Sequence, residues 1–170
     1  MHPAGKRKRV PGNSAGVLVD YGNGEQSYSQ RNARSINLGE QLFEAWCNTN
    51  GMKLRRLGLD EKEALVPGWH KLNPVIRQMP DYIAMKDDRQ AVVSVKGTLK
   101  FKAQDYDRLS WFEDMYASQD CPIRFVIATT RGITWLSTDE LRQAYEASTN
   151  QGVWPDGKAW RELNLNAVGK

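Results

Sequence analysis

Residues 79–97, MPDYIAMKDDRQAVVSVKG, constrain the fold more than any other stretch of the chain. Two apolar runs, Tyr82-Ile83-Ala84-Met85 and Ala91-Val92-Val93-Ser94-Val95, flank the charged segment Lys86-Asp87-Asp88-Arg89. Alternation and β-branching in the second run, with a polar break between the two, predict a pair of antiparallel strands joined by a turn. Asp81 opens the first strand and Lys96 closes the second, so pairing brings a carboxylate and an ammonium to the same edge of a sheet. A carboxylate can hold a divalent cation, and a lysine beside it can orient or deprotonate a water. Together they are equipment for hydrolysing a phosphodiester. On the residues alone, Asp81 also reads as a strand-initiating turn residue and Lys96 as an edge lysine whose stem covers apolar surface.

At 170 residues the chain has room for one domain with a sizeable core. An apolar content of 40% and six tryptophans fit a globular protein. No apolar run approaches the length of a membrane span, and no secretory signal is visible, so a cytoplasmic protein is expected. The two cysteines, Cys47 and Cys121, give neither a disulfide framework nor metal-ligand spacing, and read as reduced thiols. Residues 1–35 hold six basic and two acidic side chains, which accounts for the whole net charge of +4. The rest of the chain is formally neutral, so any attraction for nucleic acid must come from local patches and the arm.

Residues 1–35, rich in Gly, Ser, Asn and Gln and carrying Lys6-Arg7-Lys8-Arg9, read as a flexible basic N-terminal arm. From residue 36 the pattern changes. Leu38, Leu42, Phe43, Trp46 and Cys47 follow helical spacing, and Asn50-Gly51 supplies a stop. Glu40 and Glu44 lie on one face of this helix, beside the apolar stripe, where a solvated acidic edge is the simplest reading. Residues 52–58 alternate as a first strand, and residues 59–78 read as a loop with a helical turn at 60–65 and breakers at Pro67-Gly68 and Pro74. His70, between Trp69 and Lys71, reads as an ordinary surface histidine ahead of a general base.

Residues 97–102 form a basic connection, and residues 103–118 read as one helix. Leu109, Phe112 and Tyr116 make its apolar face, with Tyr106 at the margin and Glu113 set inside that face. A carboxylate there must find a partner or a metal, because burying it alone is costly. Trp111 and Met115 form a second apolar stripe, buried or touching another subunit. Residues 123–129 are a nearly unbroken apolar strand, as in a sheet covered on both faces, and residues 132–137 are another. Ser137-Thr138-Asp139-Glu140 caps a helix over 141–147. Residues 148–170 pack on the core, with Pro155-Asp156-Gly157 as a turn.

Pro80-Asp81 followed by Ser94-Val95-Lys96 resembles the PD-(D/E)XK nuclease superfamily, with Ser94 in place of the second acid. The order helix, three strands, helix, two strands, helix (αβββαββα) over residues 36–147 is similar too. The run FVIATTRGITWLSTDEL is most similar to archaeal-type Holliday junction resolvases and their phage relatives. The resemblance implies an α/β, restriction-endonuclease-like fold, with a mixed central sheet flanked by helices. It also implies a homodimer and a Mg²⁺- or Mn²⁺-dependent DNA endonuclease, of structure-selective or recombination type, from a phage or mobile element. Carried over by residue, it makes Asp81 and the Val95 carbonyl metal ligands, Lys96 catalytic, and Glu40 the helix acid of the metal site, with Glu44 as alternate. For Ser94 three accounts stand open. The acid has migrated to the following helix (Glu113, with Asp105 and Asp107 behind it), or Ser94 acts through water, or catalysis is lost and the fold is kept to bind DNA or to act as a scaffold. Lys53, Arg55, Arg56, Lys100 and Lys102 are the expected phosphate contacts.

Overall fold

The structure is a computed structural model, and it describes residues 38–57, 73 and 78–169. The basic arm, its Lys6–Arg9 cluster, the segment around His70 and the turn expected at 60–65 lie outside the described residues.

The most apolar run of the chain becomes an inner strand of the main sheet. Strand β5 (Ile123–Thr129) pairs parallel with β3 (Arg89–Lys96) on one side and antiparallel with β6 (Gly132–Leu136) on the other. Its side chains are buried in both directions: Ile123, Phe125 and Ile127 join one core cluster, Val126 and Ala128 the other. That two-sided burial is why the run shows little polar alternation. Strand β2 (Tyr82–Lys86) pairs antiparallel with β3, and β1 (Lys53–Arg56) pairs antiparallel with β2. The result is a five-stranded mixed sheet in the order β1-β2-β3-β5-β6. The hairpin turns at Asp87, which takes φ 52°, a left-handed conformation that aspartate tolerates better than most residues.

Helix α1 (Leu38–Thr49) covers one face. Phe43 and Cys47, both fully buried, pack on Tyr82, Ala84, Val93 and Val95. Phe43 meets the Trp135 ring edge-on, 5.4 Å between centroids. The other face is covered by α2 (Ala103–Asp107), α3 (Leu109–Tyr116) and α4 (Thr138–Glu146). The single helix expected over 103–118 is broken at Arg108 (φ −100°, ψ 3°). No Pro or Gly causes the break. Its two halves are anchored differently: Tyr106 stacks on Tyr145 with ring centroids 3.8 Å apart, while Leu109 sinks into the core. Helix α4 starts on the expected capping box, in which the Ser137 hydroxyl accepts from the Glu140 amide and Glu140 accepts from the Ser137 amide.

The basic connection after β3 holds a strand the sequence reading missed. Strand β4 (Lys100–Lys102) pairs antiparallel with β8 (Ala159–Glu162), which pairs with β7 (Gln151–Val153) in a separate three-stranded sheet. Residues 154–158 make the turn between β7 and β8, with Gly157 at φ 83°. Leu163, 3% exposed, ties this segment into the core. The chain is thus an α/β protein: a mixed sheet packed between helices, plus a small antiparallel sheet. Among the described residues no helix is long and apolar enough to cross a membrane.

Candidate functional site

The hairpin does bring Asp81 and Lys96 to one end of the sheet. The Asp81 amide donates to the carbonyl of Val93 (2.9 Å), which continues the β2–β3 ladder one residue past Tyr82. Beyond that point β2 offers β3 no further backbone partner, and the Asp81 carboxylate takes over: Oδ2 accepts from the Val95 amide at 2.6 Å. A charge-assisted bond of this kind holds the carboxylate in place at the strand end.

A cleft of about 480 Å³ opens at this end. Among the described residues its charged lining comprises Glu40, Asp81 and Asp105 with Lys96, Lys102 and Arg108. Ser94, almost fully buried, and Val95 line it as well. Lys96 reaches across to α2, where its Nζ donates to Asp105 Oδ2 at 3.4 Å. Both side chains are about one-third exposed, so this pair is screened and contributes little to stability. Its value is positional, since it keeps the ammonium over the cleft.

Glu40 arrives from the other side of the sheet. The N-terminus of α1 approaches the end of β3 closely: a Cβ on Gly97 would stand 3.4 Å from Cα and N of Gly39. Glu40 itself is only 6% exposed, and its Oε2 lies 3.0 Å from the Arg56 guanidinium. Arg56 also lies 3.9 Å from Glu44, and Glu44 accepts a 2.7 Å hydrogen bond from the Tyr82 hydroxyl. Burial and then the Glu44 bond push the Tyr82 phenol well above its ordinary range. Glu40 therefore stands in the cleft wall, while Glu44 lines a second cleft with Tyr82 and Arg56.

Two expected site residues have partners on the helices. Glu113 is absent from the cleft lining; its Oε2 accepts from Arg142 at 2.9 Å, and Arg142 also holds Asp139. The awkward carboxylate on the apolar face found an arginine on the neighbouring helix α4, and the bond raises the Arg142 pKa further. Asp105, kept behind it in the sequence reading, is the helix acid that faces Lys96. Arg56, an expected phosphate contact, lies opposite Tyr82 and reaches Glu40 on α1 at 3.0 Å. Lys53, Arg55, Lys100 and Lys102 are exposed. Arg108 was missed; it sits at the helix break, and periodicity gives no signal for that break.

Among the described residues no three His, Cys, Asp or Glu side chains cluster closely enough to hold a metal together. What the cleft does offer is an all-oxygen set with two carboxylates, Asp81 and Glu40, at the strand end. That set fits a hard cation such as Mg²⁺, which keeps several waters and takes one or two carboxylates. The Val95 carbonyl is the backbone oxygen at the same strand end.

Comparison with protein-family models and with curated proteins finds no match for this chain.

Proposed function

We propose that the protein is a metal-dependent DNA endonuclease of the restriction-endonuclease-like type, acting on branched or recombining DNA as a homodimer. The observation that carries the proposal is the joint presence of Asp81, held by the Val95 amide, and Lys96, held by Asp105, in the wall of one cleft. Asp81 and Glu40 would hold Mg²⁺ or Mn²⁺, which when bound supplies charge neutralisation and a more acidic water. Lys96 donates to the scissile phosphate or to the attacking water, and Asp105 keeps its ammonium aimed there. Lys102 and Arg108 bind the phosphates on either side of the scissile one, and the Ser94 hydroxyl orients a water between Asp81 and Lys96. A preorganised set of donors around developing negative charge is the main source of rate in such reactions.

A second reading has its own observation. Asp81, Lys96 and Glu40 all engage protein groups, and among the described residues no third acidic side chain joins Asp81 and Glu40 closely enough to hold a metal with them. A catalytically silent DNA-binding fold would have the same appearance. Incubation of branched and linear DNA with Mg²⁺ or Mn²⁺ separates the two readings. Cutting that is lost in Asp81→Ala and Lys96→Ala supports the nuclease. Cutting that survives both substitutions removes it, and retarded bands without any product favour the binding protein.

A further inference from the structure

The small sheet has one covered face and one open face, and the open face continues from the cleft. Phe101 is 3% exposed and packs edge-on to Tyr145, while Arg161, opposite Phe101, lies over the same Tyr145 ring at 5.2 Å. That is the covered side. Alternation places Lys100, Lys102 and Trp160 on the other side, with Trp160 opposite Lys102 on one flank and Gly152 on the other.

The Trp160 ring lies across Gly152 so closely that a Cβ there would stand 2.7 Å from Cζ2. The Lys100 ammonium sits 4.2 Å from the ring centroid, and Trp154 packs against Trp160 at 6.0 Å. Two acidic residues share the surface, and both are engaged. Asp156 pairs with Lys158 at 2.8 Å, which holds its carboxyl below the ordinary range, and Glu162 accepts from Asn150. Lys100, Lys102 and Lys158 outnumber them. Lys102 belongs both to this strip and to the cleft wall.

We infer that the open face of the β4-β8-β7 sheet binds an unpaired DNA strand leaving the cleft, with its bases stacked on Trp154 and Trp160 and its phosphates on Lys100 and Lys102. Aromatic platforms beside lysines take single strands without regard to sequence, because every base has a π face and every linkage a charge. A paired duplex keeps its base faces inside the stack and cannot use the rings. The Lys100 ammonium already occupies a ring face; an arriving base displaces it onto a phosphate. The choice of DNA rests on the nuclease reading; the strip itself rests on its own geometry.

The test is fluorescence anisotropy of labelled oligo-dT, oligo-rU and a blunt duplex with the full chain in EDTA. Oligo-dT should bind best, and Trp154→Ala and Trp160→Ala should each weaken it about tenfold, the loss of one stacked base. Trp160→Phe, which keeps a ring, should recover most of the loss, and circular dichroism shows whether each variant folds. Unchanged oligo-dT binding in folded Trp154→Ala and Trp160→Ala overturns the inference. So does a preference for the duplex or for oligo-rU, or a wild-type dimer that Trp154→Ala disperses. A protein that binds oligo-dT through its tryptophans yet cuts no DNA leaves the strip standing and removes the nuclease.

Discussion

The two sheets of this protein differ in what covers them. The five-stranded sheet lies between α1 on one face and α2, α3 and α4 on the other, so the apolar side chains of the central strands β3 and β5 lie in or against the core clusters. The three-stranded sheet packs one face on Tyr145 and leaves lysines and tryptophans on the other. A sheet buried on both faces tolerates little change in volume, whereas an open face can exchange its side chains at small cost to the fold. The first holds the candidate catalytic groups in place; the second is free to meet a ligand.

Substitutions should expose that difference, beginning with the largest effect. Phe43→Ala removes a fully buried ring between Tyr82 and Trp135 and should cost about 4 kcal/mol by chemical denaturation. Trp154→Ala, in the β7–β8 turn of the small sheet, should cost well under half of that. Next comes the pair of arginines on β1. Arg56→Ala removes the guanidinium 3.0 Å from the buried Glu40 carboxylate and should cost about 3 kcal/mol, while exposed Arg55→Ala should change stability by less than about 0.5 kcal/mol. Equal losses would mean that Glu40 does not depend on Arg56.

Gly152→Ala drives a methyl group into the Trp160 ring and should destabilise by about 1–2 kcal/mol, with a change in tryptophan fluorescence marking the displaced indole. The smallest effect is chemical. Cys47 is fully buried, and burial, with the Glu44 charge adding to it, pushes its thiol up to about 12. Native protein should therefore react with thiol reagents only at the half-buried Cys121. The unfolded Cys47 thiol ionises near 9.0 and the folded one near 12, so the unfolded state loses its proton first. Stability should fall as pH rises through that interval, and Cys47→Ser should flatten the fall.

Local signals were legible wherever short-range chemistry decided the outcome. The hairpin of β2 and β3, the two-faced apolar run of β5 and the Ser137–Glu140 capping box all follow from residues a few positions apart. So does the meeting of Asp81 and Lys96, because an antiparallel turn leaves no other place for two strand ends. Strand β4 was not legible: three residues, Lys-Phe-Lys, carry too little pattern, and their partner β8 lies far along the chain. The break at Arg108 escaped for a related reason. It is imposed by what Tyr106 and Leu109 pack against rather than by a helix-breaking residue.

The amino-acid sequence by itself determined the β2–β3 hairpin, the apolar strand β5 and the capped start of α4, and that one acid and one lysine share a sheet edge. Only the tertiary structure decided which charges face the cleft. Arg55 and Arg56 are adjacent and alike, yet one is exposed and the other turns onto Glu40, because strand register sends successive side chains to opposite faces. Glu113 and Asp105 are both acids of the same predicted helix, yet one pairs with Arg142 and the other with Lys96. A charge takes whichever opposite charge the packing brings within reach, and that choice is set by contacts far apart in the chain.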